Sequence, residues 1–167
     1  IHPTTALEDR VIVISGAHIA TMDAAGNEYA DGHLAIHGTR IVAVGPGPAP
    51  ADLVGDRIDG RGTLVTPGLV NTHHHLYQWI TRGYAQDTTL FGWLTTLYPV
   101  WSRISAETLY PAAAANLGWL ALSGCSTSMD HHYVFPTDGG DLPEAEIRAA
   151  TAIGIRFHPT RGSMDLG

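Results

Sequence analysis

Two histidines separated by one residue give the strongest chemical signal in this sequence. His73 and His75 directly follow the short segment Leu-Val-Asn-Thr at 69–72, which we predict to be a strand. Alternate residues of a strand point to the same side, so the two imidazoles can converge on one metal ion while His74 points into the packing. A solvated loop is the alternative, and a tag is disfavoured because the run is internal. We predict His73 and His75 to be metal ligands.

Two later predicted strands also end in residues that could do chemistry. Asp130, His131 and His132 close one strand, and Arg161 closes another. The histidine pair could contact a substrate or orient a metal ligand, or it could cap local backbone groups, and the residue types leave both readings open. Of the pair, His132 is favoured as the residue that faces a pocket. A guanidinium can grip a substrate carbonyl through its fork of donors, although a surface Arg is the common alternative.

The elements that would position these residues alternate between strands and helices after residue 66. The predicted strands lie at 69–72, 126–129 and 155–161, with helices at 105–122 and 141–153 between them. Such alternation predicts parallel βα units. A complete (β/α)₈ barrel takes roughly 250 residues. We therefore expect residues 66–167 to form the first three βα units of a TIM-like barrel, in a chain that is truncated.

Helix boundaries in this part are indicated by capping residues. Ser105 is a candidate N-cap. Asp141, with Glu144 three residues later, forms a variant of the capping box. Gly154 is the expected C-terminal stop of the second helix.

Residues 1–65 have a different pattern, of short apolar runs separated by Gly, Asn and Asp. The predicted strands include 11–14, 17–22, 32–37 and 40–44. This pattern indicates a small antiparallel sheet or half of a β-sandwich. The predicted fold class is therefore α/β, with a half-sandwich at 1–65 and the barrel part at 66–167.

The composition and net charge of the chain limit the classes of molecule that it is expected to bind. The chain of 167 residues is 44% hydrophobic and 15% charged, which is enough for a packed core. A net charge of −7 without any Lys/Arg cluster argues against nucleic acid or an anionic membrane surface as partner, and no apolar run could span a bilayer. A small-molecule substrate fits better. The single cysteine, Cys125, excludes an intrachain disulfide and favours the cytoplasm.

Several enzyme classes are excluded by missing motifs. The zinc site of the cytidine-deaminase type needs H-x-E with P-C-x-x-C, which one cysteine cannot supply. The sequence has no P-loop, no G-x-G-x-x-G and no G-x-S-x-G.

Three segments carry a resemblance to a known family. Residues 66–78, Thr-Pro-Gly-Leu-Val-Asn-Thr-His-His-His-Leu-Tyr-Gln, resemble the first-strand signature of the amidohydrolase superfamily. Asp-His-His-Tyr-Val-Phe-Pro at 130–136 and Arg-Gly-Ser-Met at 161–164 look most similar to 8-oxoguanine deaminases. These belong to the branch that also holds guanine and isoxanthopterin deaminases and the s-triazine hydrolases. The resemblance covers essentially the whole chain, and residues 1–65 look like the family's N-terminal sandwich piece.

The resemblance implies a metal-dependent hydrolytic deaminase that releases ammonia from an amino-substituted purine or pterin, with 8-oxoguanine as the leading substrate. It implies one Zn²⁺ per chain, or another divalent metal such as Fe²⁺, with His73 and His75 among the ligands. A further His, an Asp and a catalytic Glu are expected downstream of Gly167, and a homo-oligomer is expected. The expected substrate-binding residues are Gln78, His132 and Arg161.

Three alternatives stay open at this point. An s-triazine-type hydrolase would expel chloride or an alkylamine with the same nucleophile. A non-catalytic homologue would keep the barrel without the metal, although the intact pair of His73 and His75 disfavours it. A truncated product would be inactive, since zinc at an open site needs more than two imidazoles.

Overall fold

The computed structural model describes residues 10–163, which divide into two compact units between Pro67 and Gly68. Met164, the last residue of the third segment above, lies outside the described residues. Within the described range, none of the helices combines the length and the apolar character needed to cross a membrane. The two units are described separately.

The first unit is built around a five-stranded mixed sheet. Its strands are β1 (Val11–Ala20), β2 (Glu28–His37), β3 (Arg40–Pro46), β4 (Asp56–Asp59) and β5 (Leu64–Val65). The order is β3-β2-β1-β4, and β5 also pairs with β1. The expected antiparallel arrangement is wrong for β4 and β5, which run parallel to β1. The connection after β3 returns the chain to the end where β1 begins, so that Asp56 pairs with Ile12.

A β-bulge corrects the prediction of two short strands at 11–14 and 17–22. One strand, β1, crosses both segments, and its register against β2 shifts between Ser15 and Ala17. Gly16, between them, has a φ of +78°, a conformation that glycine adopts without steric cost. A bulge inserts one extra residue without ending the strand, which is why the pattern looked interrupted.

The second unit is a parallel sheet with helices between its strands. Its elements are β6 (Leu69–Asn71), a 3₁₀ helix (Leu76–Thr81), α1 (Leu90–Trp101), α2 (Ala106–Leu122), β7 (Cys125–His132), α3 (Leu142–Ile153) and β8 (Arg156–Arg161). The order is β6-β7-β8, and both pairings are parallel. The predicted strand–helix–strand alternation is therefore confirmed for the described residues, and parallel pairing brings the carboxyl ends of all three strands to one edge.

The predicted helix caps are present. The hydroxyl of Ser105 accepts the backbone N–H of Thr108 at 3.3 Å, and the Thr108 hydroxyl accepts the Ser105 N–H at 3.0 Å, so the two residues form a capping box. Asp141 Oδ1 accepts the N–H of Glu144 at 3.0 Å at the start of α3, which is the N-cap half of the predicted capping box. Gly154 ends α3 with a φ of +82°.

The segment between β6 and α2 has structure that the sequence pattern did not assign. It forms the 3₁₀ helix and α1, whose aromatic side chains enter the core. Tyr77 and Trp101 are fully buried with ring centroids 5.2 Å apart. The indole N–H of Trp101 donates to the hydroxyl of Thr81 at 2.9 Å. The 3₁₀ helix that follows the paired histidines is thereby held against α1.

Two glycine-to-alanine changes should shift stability in opposite directions. Gly154 has a positive φ and open space around it, so Gly154→Ala should destabilise the protein by about 1 kcal/mol through backbone strain alone. Gly118 lies inside α2, where an added methyl group would meet Ile153 Cδ1 at an ordinary 3.7 Å. Gly118→Ala should therefore stabilise by about 0.5–1 kcal/mol. Chemical-denaturant midpoints of both variants test this, and shifts of the same sign would contradict it.

Candidate metal centre

Three imidazoles lie together where β6 and β7 end. The rings of His73 and His75, between β6 and the 3₁₀ helix, are 5.1 Å apart between centroids and nearly perpendicular, at 89°. His131, the penultimate residue of β7, stacks on His73 at 5.1 Å and lies 6.0 Å from His75. Parallel pairing of β6 with β7 brings these residues together across more than fifty positions of sequence.

The ring of His75 is held in an orientation that suits a metal ligand. Its Nδ1 lies 2.8 Å from the carbonyl oxygen of His131. A carbonyl only accepts, so Nδ1 carries the hydrogen and the lone pair is on Nε2, the arrangement commonly found at metal-ligating histidines. Partial burial lowers the pKa of His75, which favours the neutral imidazole that a divalent metal requires. The ring orientation and the lowered pKa of His75 are both compatible with a cation that accepts nitrogen ligands, such as zinc.

His74 contacts helix α2 and also borders the cleft of His73 and His75. Its Nε2 lies 2.6 Å from the side-chain amide nitrogen of Asn116, a buried residue of α2, and its carbonyl accepts the N–H of His131 at 2.8 Å. Asn116 was not among the predicted site residues. Asn116 is a polar residue on the face of α2 that buries Ala113 and Leu117, and a polar residue on such a face indicates a buried hydrogen-bond partner.

His132, the predicted substrate-binding residue, is enclosed instead of lining a cleft. It is 1% exposed, with Nδ1 2.7 Å from Glu146 Oε1 and Nε2 2.8 Å from the carbonyl oxygen of Val134. Successive residues of a strand face opposite sides, so His131 faces His73 and His132 faces α3. The position of His132 therefore offers no surface to a substrate in the described chain.

Asp130 and Glu146 are the other buried charged residues of this region. Both are 0% exposed, and Asp130 Oδ1 accepts the backbone N–H of Leu76 at 2.6 Å. Burial, and then the nearby charge of Glu146, raise the pKa of Asp130. Glu146 was not among the predicted site residues, although an acidic residue on the face of α3 that buries Leu142 and Ala149 is unusual enough to indicate a role.

Gln78 shares a cleft with the paired histidines. An open cleft of about 310 Å³ is lined by His73, His75 and Gln78, together with Trp93 of α1. The Gln78 amide also approaches the Tyr77 hydroxyl at 3.4 Å. The structure thus brings one predicted substrate residue beside the predicted metal ligands, and its substrate role stays a prediction.

Arg161 lines a different cleft. It borders an open space of about 380 Å³ with Tyr133, Phe135 and Ser163, and its guanidinium carbon lies 4.5 Å from the centre of the Phe135 ring. Tyr133 also packs against His75, with ring centroids 5.3 Å apart. Arg161 is therefore separated from the imidazoles by one aromatic residue, and its substrate role also stays a prediction.

A family model and individual relatives of known sequence both place this chain among the amidohydrolases. The model of the amidohydrolase family matches residues 64–167. An 8-oxoguanine deaminase of Pseudomonas aeruginosa is 42% identical over 153 residues, which cover 89% of this chain and 34% of that protein. A hydroxydechloroatrazine ethylaminohydrolase of Pseudomonas sp. strain ADP is 31% identical, over 91% of this chain and 34% of that protein.

A solved structure gives the same result. Atrazine chlorohydrolase from Arthrobacter aurescens TC1, complexed with zinc, superimposes with a TM-score of 0.84 and 35% identity, over 93% of this chain and 36% of that chain. The mixed α/β fold therefore matches amidohydrolase structures. The chain spans about a third of the length of the curated relatives above (34%).

The raised pKa of Asp130 gives a prediction for stability against pH. Unfolding exposes a carboxyl that titrates near pH 4, so above that pH the unfolded state releases a proton that the folded state retains. Stability should therefore fall as the pH rises from about 4 toward the folded-state pKa, by at most about 1.4 kcal/mol per pH unit. Asp130→Asn should flatten this slope in urea unfolding between pH 5 and 8. Asp138→Asn, at an exposed position, is the control. If the free energy of unfolding of Asp130→Asn keeps the wild-type dependence on pH, the prediction is contradicted.

Proposed function

The chain belongs to the amidohydrolase family, and on that premise we propose that it is part of a metal-dependent hydrolytic deaminase. The proposed reaction releases ammonia from an amino-substituted purine or pterin, with 8-oxoguanine as the leading substrate. The observation that carries this proposal is the pair of His73 and His75 with the ring of His75 oriented by the His131 carbonyl. The 42% identity to an 8-oxoguanine deaminase favours that ring among the candidates.

The architecture proposed for the whole protein is a barrel preceded by a sandwich. The parallel order β6-β7-β8 with intervening helices supports the first three βα units of a (β/α)₈ barrel. The mixed sheet of the first unit supports half of a sandwich. Because the chain covers 34% of its relative, the remaining metal ligands and the catalytic acid are proposed to lie in the part that it does not cover.

The family is metal-dependent, and His73 and His75 are the residues of this chain that would hold the metal. Zinc is the proposed ion, one per chain, with Fe²⁺ as the alternative. When bound, zinc provides Lewis acidity and a hydroxide nucleophile near neutral pH.

The remaining contributions come from this chain's own side chains. Gln78 has an amide that both donates and accepts, and it lies in the cleft of the paired histidines. The fork of donors on Arg161 can hold a ring carbonyl. His131 keeps Nε2 of His75 free by accepting from Nδ1. We propose that Gln78 and Arg161 orient the ring, while His132 takes no part in substrate contact because it is enclosed.

The protein is further proposed to act on a small heterocycle as a homo-oligomer. A cytoplasmic location rests on the single cysteine, Cys125, which leaves no intrachain disulfide.

An s-triazine hydrolase is the second candidate. It is favoured by the TM-score of 0.84 with a zinc-containing atrazine chlorohydrolase and by the identity to a hydroxydechloroatrazine ethylaminohydrolase. Turnover of a panel of oxopurines, pterins and s-triazines, with ammonia, chloride and alkylamine as readouts, distinguishes the two candidates. Ammonia from a purine or pterin supports the leading proposal, and chloride or alkylamine alone overturns it.

Replacing a paired histidine should remove metal and activity together. His73→Ala in the complete gene product should lower the zinc content well below one per chain, because one imidazole of the ligand set is lost, and should abolish ammonia release from 8-oxoguanine. Zinc is measured by inductively coupled plasma mass spectrometry. His37→Ala, at an exposed histidine of the first unit, is the control and should change neither quantity. Full zinc content in His73→Ala would show that His73 is not a ligand.

Replacing Arg161 should affect substrate and spare the metal. Arg161→Met removes the fork of donors and should lower kcat/KM by about 10- to 100-fold, the loss expected for charge-assisted hydrogen bonds, while the zinc content stays unchanged. Arg148→Met, at an exposed Arg of α3, is the matched control. Equal kcat/KM values in the two variants would remove Arg161 from the substrate site.

A further inference from the structure

A cluster of three buried ionisable residues lies directly behind the paired histidines. Asp130, His132 and Glu146 are each at most 1% exposed, and one ligand-type atom from each lies within 4.8 Å of the others. Asp130 Oδ2 and Glu146 Oε2 are buried without a hydrogen-bond partner among the described residues. Buried carboxylate oxygens are costly unless a proton or a cation compensates them.

The hydrogen bonds of His132 fix the location of one proton. Its Nε2 faces the carbonyl oxygen of Val134 at 2.8 Å, and a carbonyl only accepts, so Nε2 carries a hydrogen. Its Nδ1 lies 2.7 Å from Glu146 Oε1. A second hydrogen must lie between these two atoms, on one or the other, for the contact to be attractive.

The two carboxyl groups require a further proton. Asp130 Oδ1 is occupied by the N–H of Leu76, and an oxygen of Asp130 lies within 4.8 Å of an oxygen of Glu146. Two ionised carboxylates at such a distance repel, whereas a proton between them makes a strong hydrogen bond. With one proton shared here and one shared with His132, the three buried groups carry no net charge.

A metal ion fits the cluster less well than protons do. Two ligands at about 2.0–2.1 Å from tetrahedral zinc are about 3.3 Å apart, but His132 Nδ1 and Glu146 Oε1 are 2.7 Å apart, a hydrogen-bond distance. The second nitrogen of His132 is already committed to the Val134 carbonyl. The geometry therefore favours shared protons.

The cluster contacts both sides of His75. Asp130 holds the backbone N–H of Leu76, the residue after His75. Asp130 also precedes His131, whose carbonyl accepts from the His75 ring. Any movement of Asp130 would thus change both the turn that carries His75 and the group that orients its imidazole.

We propose that Asp130, Glu146 and His132 form a proton-sharing network whose task is to position His75 for metal binding. The three are assigned as positioning residues because they are enclosed in the core and act on His75 through Leu76 and His131. The inference rests on the proposed function in that it takes His75 to be a metal ligand.

Conservative and non-conservative changes of Asp130 test the network. Asn keeps an oxygen for the Leu76 N–H and supplies an N–H to Glu146 Oε2, so it mimics the protonated acid, whereas Leu does neither. The zinc dissociation constant of the complete gene product is measured by chelator competition for the wild type, Asp130→Asn and Asp130→Leu. Asp138→Leu, at an exposed position, is the control. Glu146→Met, which removes the partner on α3, is the second loss variant should Asp130→Leu fail to fold.

If the network positions His75, the wild type binds one zinc per chain. Asp130→Asn should bind zinc with an affinity within about threefold of the wild-type value. Asp130→Leu and Glu146→Met should bind zinc about 10- to 100-fold more weakly, the range found for residues that orient metal ligands. Wild-type affinity in Asp130→Leu would overturn the positioning role alone. Two zinc ions per chain, with one lost in Asp130→Asn, would show that the cluster holds a cation. A wild type that binds no zinc would overturn the proposed function and the positioning role with it.

Discussion

The hydrogen bonds that join the turn after β6 to the end of β7 hold the paired histidines in place. β6 has only three residues, so strand pairing alone gives this segment little rigidity. Four contacts supply the rest: the His131 N–H on the His74 carbonyl, the His131 ring on the Thr72 carbonyl, the His75 ring on the His131 carbonyl, and the Leu76 N–H on the Asp130 carboxyl. Each links a residue of the segment 72–76 to a residue of β7, and the arrangement of the imidazoles depends on these contacts.

This arrangement requires two acidic side chains to be buried, which is unfavourable for their charged forms. Asp130 and Glu146 are taken fully out of water, and a buried carboxylate is tolerated only when it is paired or protonated. α3 meets this requirement, because it carries Glu146 on a face otherwise made of Leu and Ala and packs it against His132. The helix thus has an electrostatic role in the site as well as a place in the core.

The chain resembles relatives that are named for different substrates. An 8-oxoguanine deaminase, a hydroxydechloroatrazine ethylaminohydrolase and an atrazine chlorohydrolase match 89%, 91% and 93% of this chain. The paired histidines suit both chemistries, since each needs an activated water at a ring carbon. In the part of the chain that is described, residues that could discriminate between rings, such as Gln78 and Arg161, line two separate clefts.

Sequence alone determined the features that depend on local chemistry. The caps at Ser105, Asp141 and Gly154, the strand–helix alternation and the HxH pair are each encoded within a few neighbouring residues. The bulge at Gly16 and the parallel pairing of β4 were not predicted, because strand continuity and strand direction depend on distant partners.

Tertiary structure alone decided which member of the pair at 131–132 faces the histidine cluster and which faces α3. A strand alternates its two faces, so a shift of one residue in register exchanges every side chain between them, and that register is set by β6 and β8. Glu146 and Asn116 acquired their partners in the same way, because helix packing against the sheet brings together residues that are far apart in sequence.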